Sequence, residues 1–341
     1  MTNKKNIKKV LILGGAGFIG LNLSKHILKN TNYIVTIADN FSRGKKDSDV
    51  SNLITNENIN LIEADLTKSE TFSLLEKDYD QCYMLASVVG VDNALSQPSE
   101  VIRINTSIIL NTLEWLKDTK LKKVIFSSTS ENYAGTVDKF DYKVPTDENV
   151  PLTISDISHP RYTYAVTKML GESGFLNYSN KYDFDCTILR YHNVYGPRMG
   201  FNHVIPNLIK RFIDKETPFQ MYGHNQTRSF CFISDAVEGT FQAMESKNTS
   251  GEIYHIGTSD EITIEELIKE VGTHFNYSGN YDAAPSFPGS TYRRCPDISK
   301  ATSSFLFKPK ISLKIGLKKT LKWYLNYYEE ENHNSEQECK N

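Results

Sequence analysis

The chain lacks the features that would make it secreted, membrane-bound or metal-held. It has five cysteines in 341 residues. Cys82, Cys186, Cys231, Cys295 and Cys339 show neither paired spacing nor a metal-ligand pattern. Four of them sit in or near apolar segments, which points to buried free thiols and a reducing compartment. No apolar stretch is long enough to span a bilayer. Lys4, Lys5, Lys8 and Lys9 look like the start of a signal peptide, but the run after them, "VLIL", is too short for one and leads straight into glycines. A dominant charge is missing too. The formal net charge is −2, with lysines and acids spread along the chain, so nothing draws it to nucleic acid or an anionic membrane. Of the eight histidines no pair has ligand spacing, and no metal is expected. The remaining composition, 39% hydrophobic and 23% charged, supports a sizeable core in one large domain or two closely packed ones. The expectation is a soluble cytoplasmic protein.

The first half alternates short β-rich runs with helical patterns. "KKVLILGG" reads as a strand and Phe18 to Lys29 as a helix. "YIVTIADN", "INLIEADL" and "QCYMLAS" are strands two to four. Residues 100 to 117 have helical spacing, "KKVIFSST" is strand five, "YAVTKMLGESGFLNYSNKY" a long helix and "FDCTILRYHNVYG" strand six. Nearly continuous apolar runs suit a parallel sheet covered on both faces. The alternation predicts an α/β fold: a Rossmann-type doubly wound parallel sheet over residues 1–195. From about residue 196 proline, basic and aromatic residues become commoner and the elements shorter, which predicts a smaller C-terminal α/β substrate lobe over 196–328. The polar tail, 329–341, reads as disordered.

"VLILGGAGFIG" sets Gly14, Gly17 and Gly20 between the first strand and the first helix. Gly14 allows a tight turn, Gly17 a close approach of backbone to a pyrophosphate, and Gly20 close helix–strand packing. The helix N-terminus, starting at Phe18 and Ile19, offers a positive dipole end. A glycine triple alone is weak; its place between a strand and a helix strengthens it. Asp39 ends strand two, where a carboxylate accepts the adenosine ribose hydroxyls and repels a 2′-phosphate, favouring NAD over NADP. Asn40 and Arg43 follow it; Arg43 and Lys45 weigh slightly the other way. Asp65 and Leu66 end strand three, at the expected adenine edge, where Asp65 doubles as a helix N-cap in "DLTKSE". Leu85, Ala86 and Ser87 end strand four and leave room for a cofactor.

Tyr164 and Lys168, in "YTYAVTK", share one helix face. A lysine ammonium beside a phenol lowers its pKa, so that the phenolate serves as a base near neutral pH. The plainer reading is a surface pair. In "SSTSENYAG", Thr129 ends strand five, and Glu131, two residues on, points the same way in an extended chain. The plainer reading of Glu131 is a solvated strand-end carboxylate.

Taken together, "GGAGFIG", Asp39, Asp65, "SSTSENYAG", "YAVTK", "RYHNVYGPRM", "QTRSFCFISD" and "RRCPDISKA" resemble the extended short-chain dehydrogenase/reductases that act on nucleotide sugars. The resemblance runs from residue 10 to about 325. It implies that Thr129, Tyr164 and Lys168 form the catalytic trio, with Tyr164 taking a proton from a sugar hydroxyl, usually at C4, and Lys168 holding the nicotinamide ribose. It implies substrate contacts from Ser130 and Asn193, diphosphate clamps in Arg228 and one of Arg293 or Arg294 (Arg294 preferred), and a nucleotide-base site at His203, Val204 and Tyr222. Tyr222 would stack on the base; its plainer reading is a satellite core aromatic. For His192 and His203 simple packing is the stronger alternative. The family also implies at least a homodimer, through helices beside the active site.

Three fates of the 4-keto sugar stay open: re-reduction from the other face by a C4 epimerase, release by a dehydrogenase, or loss of water with Glu131 as the C5 base of a 4,6-dehydratase. Decarboxylation of a UDP-uronic acid is a further alternative. The order Thr-Ser-Glu resembles GDP-mannose dehydratases and UDP-glucuronate decarboxylases, while "YAVTK", "ENYAG" and "GFNHVIP" depart from them. Two rivals belong to other classes: a non-catalytic NAD-binding regulator or scaffold, against which the intact trio counts, and an NADPH-dependent reductase of small carbonyls, against which Asp39 and the arginines count. The expectation is an NAD-dependent enzyme acting at C4 of a GDP- or UDP-linked sugar for surface polysaccharide, as an epimerase or dehydrogenase.

Overall fold

The computed structural model describes residues 7–44 and 46–338; Lys4, Lys5, Lys45 and Cys339, named above, lie outside the described residues. Val10, Leu11, Ile12 and Leu13 are all fully buried, as a strand covered on both faces requires. They form β1 (Lys9–Leu13), followed by α1 (Phe18–Asn30), β2 (Ile34–Asp39), α2 (Ser48–Leu53), β3 (Ile59–Glu63) and β4 (Gln81–Met84). Next come α3 (Val91–Ser96), α4 (Pro98–Leu116), β5 (Lys123–Thr129), α5 (Ala134–Phe140), α6 (Thr163–Tyr182) and β6 (Asp185–Tyr191). The rest is β7 (Val194–Tyr195), α7 (Val204–Ile213), β8 (Phe219–Tyr222), β9 (Thr227–Ser229), β10 (Cys231–Phe232), α8 (Ile233–Glu245), β11 (Glu252–Ile256) and β12 (Glu261–Thr263). The chain closes with α9 (Ile264–His274), β13 (Tyr281–Ala284), β14 (Arg293–Arg294), α10 (Ser299–Phe305) and α11 (Leu313–Glu338).

Seven strands make one parallel sheet in the order β11-β6-β5-β4-β1-β2-β3. Successive residues of β1 serve opposite faces. Val10 and Ile12 join the core shared with α1 and α8, while Leu11 and Leu13 join the core built with α4 and α6. The strand order reverses between β1 and β4, which opens a crevice at the carboxyl ends of the strands. This is the doubly wound sheet expected from the sequence.

Two details differ from expectation. β11 pairs with β6, and α8 packs on α1, so part of the chain beyond residue 195 belongs to the main sheet layer. The run "EIYHI" is short, but Tyr254, His255 and Ile256 are fully buried in it. The tail assigned to disorder is helical as far as Glu338. Its glutamates and glutamine are adequate helix formers and prolong a helix already nucleated by packing. Among the described residues no helix is long and apolar enough to cross a membrane.

Candidate active site

The turn after β1 is closed by its glycines. Gly14 has φ +84°, and its N–H donates to the Ala38 carbonyl at 2.8 Å. A Cβ on Gly20 would lie 2.4 Å from the Gly14 carbonyl oxygen, so nothing larger fits where α1 meets the turn. At Gly17 a Cβ would meet only that oxygen, at 3.3 Å, which marks the open side of the turn beside the first helical residues, Phe18 and Ile19. Asp39 Oδ2 accepts the Ala16 N–H at 3.0 Å and Oδ1 the Phe41 N–H at 2.8 Å. Burial raises its pKa, against those two bonds and the Arg198 charge. Each oxygen keeps a lone pair for a ribose hydroxyl. Asn40 is exposed and accepts the Ser42 N–H at 3.0 Å. Asp65 binds the Thr67 N–H and hydroxyl at 3.1 and 2.7 Å. It therefore closes its own turn rather than capping a helix, since Lys68 occupies the N-cap of the 3-10 helix that follows. Leu66 is buried, and Leu85, Ala86 and Ser87 leave β4 beside Gly14, whose added Cβ would meet Ala86 backbone at 2.7 Å. These residues rim one crevice, and their open glycine face and ribose-competent carboxylate fit a dinucleotide.

Arg43 departs from this group. Its Nη2 lies 2.9 Å from His203 Nε2, across the cleft at the start of α7. Burial and the Arg43 charge push His203 down to about 4, so the ring is neutral and accepts the bond. A residue expected at the cofactor and one expected at the nucleotide base thus touch each other.

At the other side, Gly171 lets α6 press on β5: a Cβ there would be 2.2 Å from Phe126 Cζ. That approach brings Lys168 Nζ to the Ser127 carbonyl at 2.8 Å, with the Tyr164 ring centroid 5.7 Å away. Thr129 ends β5, and its hydroxyl accepts the Glu131 N–H at 3.2 Å. The structure thus brings Thr129, Tyr164 and Lys168 together. Lys168 is not among the groups that dominate the phenol's pKa. Burial foremost, then the Glu131 charge, raise the Tyr164 pKa, and Arg43 and the Thr129 hydroxyl only partly oppose them. Lys168 is itself buried and pushed down to about 7, so it holds a carbonyl rather than a full charge against the ring.

Glu131 is not a solvated carboxylate. Its Oε1 accepts from Arg294 Nη1 at 2.7 Å. Burial works against its ionisation, but Arg294, Arg161 and Arg228 outweigh it and hold the carboxyl at about 2. Arg294, on β14, is paired in register with Arg228 on β9. Arg293 is exposed and pairs with Glu261. Arg228 donates to neutral groups, the Thr227 carbonyl at 2.7 Å and Ser290 Oγ at 3.2 Å among them. Arg294 also donates to Thr291 Oγ1 at 2.8 Å. Ser130 is buried in the 3-10 turn Ser130–Tyr133. Asn193, in a left-handed conformation, donates to the Ser229 carbonyl at 3.0 Å. Val204 and Tyr222 are exposed, so Tyr222 is no core aromatic; it lies 5.0 Å from Phe287, ring to ring.

Two buried polar groups brace this floor. Ser128 and Asn132 donate to Glu172, which receives Arg190 in a two-pronged pair at 2.9 and 2.7 Å. Behind them the Tyr133 hydroxyl meets His192 Nε2 at 2.8 Å, and His192 lies against His255. His192 is therefore packed, as the simpler reading held. Both imidazoles are fully buried, and among the described residues His192 Nδ1 makes no hydrogen bond. Burial lowers both pKa values, His255 to about 3. The folded pKa is depressed, so this contribution to stability is full above 6.5 and is lost as pH falls from there toward about 3. Urea unfolding should therefore show stability falling as pH drops from 6 to 4, as the unfolded chain takes up protons that the folded rings refuse. A midpoint independent of pH over that range would contradict the burial of neutral imidazoles.

Sequence reasoning missed Arg161, Glu172, Arg190 and Arg198. Arg161 carried a signal, standing three residues before Tyr164. Arg198, which binds Asp47 at 2.6 Å and the Ala16 carbonyl at 2.9 Å, lay within the quoted "GPRM" unassigned. Arg190 likewise opens the quoted "RYHNVYGPRM" unassigned, and Glu172 had no local signal, because their pairing depends on α6 lying over β6.

The family model described as the NAD dependent epimerase/dehydratase family matches residues 10–257. A UDP-N-acetyl-alpha-D-glucosaminuronate decarboxylase of Bacillus cytotoxicus is 33% identical over 334 residues, covering 93% of this chain and 98% of that protein. A putative UDP-glucose 4-epimerase of Methanocaldococcus jannaschii is 31% identical, covering 93% and 98%. Among solved structures, UDP-glucuronic acid 4-epimerase from Bacillus cereus in complex with UDP-glucuronic acid and NAD superposes with a TM-score of 0.84 at 29% identity, covering 94% of this chain and 100% of that one.

Proposed function

The chain belongs to the NAD-dependent epimerase/dehydratase family, and from that premise we propose that it is a C4 epimerase of a UDP- or GDP-linked sugar, serving surface-polysaccharide synthesis in the cytoplasm. Asp39 would hold the adenosine ribose and the Gly14–Gly20 turn the pyrophosphate; bound NAD supplies a hydride acceptor. Tyr164 removes the C4 hydroxyl proton, Thr129 holds that oxygen, and Lys168 orients the ribose and lends positive charge as it protonates. Arg228 and Arg294 take the diphosphate through their planar donor forks, with Asn193 beside them and Tyr222 under the base.

The observation that carries the choice of epimerase is the state of Glu131. A carboxylate bonded to Arg294 and held at about 2 is a poor base for C5, which speaks against dehydration. Incubation in D2O with UDP- and GDP-sugars should give a C4-inverted product without deuterium and without lasting absorbance at 340 nm. Deuterium beside a new methyl group would mean a dehydratase; accumulating NADH would mean a dehydrogenase. Decarboxylation is the second reading. It needs no C5 base, because a 4-keto uronic acid is a β-keto acid, and the Bacillus cytotoxicus relative bears that name. Release of CO2 with a pentose product would establish it.

The dimer reading rests on α4 and α6, which pack together and leave Ile102, Leu110, Val166 and Leu170 exposed. Such a patch favours self-association. Sedimentation at micromolar concentration should give twice the chain mass; a monomer would contradict this.

A further inference from the structure

Arg43 takes no part in the chemistry at C4, yet it reaches the opposite wall of the cleft. Its own segment is fixed at the glycine turn: a Cβ on Gly44 would lie 2.5 Å from the Ala16 carbonyl oxygen, so Gly44 packs flat on that turn. The facing segment, residues 196–203, is fixed at the same residue. Arg198 donates to the Ala16 carbonyl at 2.9 Å and pairs with Asp47 at 2.6 Å. Asp47 in turn caps α2 on the Val50 N–H at 3.0 Å. On its other side this segment is held by α11. The Tyr324 hydroxyl donates to the Gly200 carbonyl, and Phe201 lies edge-on to the Tyr324 ring, centroids 5.6 Å apart. Gly200 turns the chain at φ +90°. A Cβ there would stand 3.6 Å from Arg43 Nη2 and 4.0 Å from His203 Cδ2, so a longer side chain would fill the space in which these two groups meet.

The contacts close a circuit: Gly44 on Ala16, Ala16 to Arg198, Arg198 along the chain to His203, and His203 back to Arg43. The circuit starts and ends at the turn that fits a pyrophosphate. Ala16 is its fixed point, since its N–H is also bound by Asp39 at 3.0 Å. The links differ in strength. Gly44 is buried, and the Arg198 side chain, only 10% exposed, pairs with a carboxylate. The Arg43–His203 link, at 2.9 Å, joins an exposed arginine to a half-buried histidine and ends on a neutral ring nitrogen. A hydrogen bond to a neutral acceptor within reach of water is the link that opens first. An enzyme that returns its hydride to the same sugar must not lose the reduced cofactor between the two transfers, and a reversible link at this place serves that need.

We propose that Arg43 and His203 form a clasp across the dinucleotide crevice, which holds the cofactor in when closed and lets it exchange when open. This rests on the crevice being the dinucleotide site, and not on which sugar is turned over. The test is stopped-flow exchange of NADH, followed by its fluorescence as it binds the chain and as excess NAD displaces it. A gate slows entry and exit alike. Arg43→Met and His203→Phe should therefore each raise both the association and the dissociation rate by about tenfold and leave Kd within about threefold. The double variant should be no faster than either single one, because each change opens the same clasp. His203→Gln, which keeps an acceptor, should retain part of the slow exchange. Weaker binding in Arg43→Met with an unchanged association rate would show that Arg43 holds the cofactor directly, and would overturn the clasp. Additive effects in the double variant, or exchange unaltered in both single variants, would overturn it too. Failure of the unaltered chain to bind NADH overturns the reading of the crevice itself, and the proposal with it.

Discussion

Tyr164→Phe should lower the rate of C4 oxidation by about 10²–10⁴-fold, the usual share of a positioned general base. The phenolate oxygen is the group that takes the substrate proton, and Thr129 cannot replace it, because an aliphatic alcohol is not deprotonated near neutral pH and serves to hold the substrate oxygen. The variant should fold normally, since the ring stays and only one oxygen leaves. Single-turnover absorbance at 340 nm with a bound nucleotide sugar is the direct readout. A loss below tenfold would move the base elsewhere, and would also revive the non-catalytic reading if a biological effect persisted.

Arg190→Met should destabilise the fold by about 3–5 kcal/mol, the expected cost of leaving one partner of a buried ion pair uncompensated. Arg190 and Glu172 have side chains only 2% and 5% exposed. Without Arg190, Glu172 keeps Ser128 and Asn132 as neutral donors and must carry its charge in the core. The double change Arg190→Met with Glu172→Leu should recover much of the loss, since the buried charge then goes too. Because Ser128 and Asn132 bracket Thr129 and Glu131, the single variant should also lower kcat in the fraction that stays folded. Urea unfolding measures the first effect; a change under about 1 kcal/mol would show that the pair is dispensable.

The main sheet was legible because its strands are buried on both faces, so "KVLIL", "IVTIAD" and "KVIFSST" read as continuous apolar runs whatever their partners. The dinucleotide turn and the Tyr164–Lys168 pair were legible for a related reason: both are local, set by one turn and by one helix repeat. What escaped was long-range. Arg43 meets His203, 160 residues away, and Glu131 meets Arg294, 163 residues away. Neither pairing leaves a trace in local spacing, since each depends on how the C-terminal lobe closes over the sheet. β11 was missed because "EIYHI" lies beyond the lobe's first elements, and only the exposed edge of β6 tells it where to go. The polar tail misled in the opposite direction. Its composition resembles that of a disordered segment, but it continues α11, whose first turns are anchored by the buried Leu317, Leu321 and Tyr324.

The central claim is that C4 gives up its hydride and receives one back. A nucleotide sugar deuterated at C4, followed in single turnovers at 340 nm and by NMR of the product, tests it most directly. The account predicts a transient absorbance that rises more slowly with the deuterated substrate, and an inverted product that carries the deuterium at C4. Turnover with no transient, no isotope effect and an unchanged C4 configuration would contradict it.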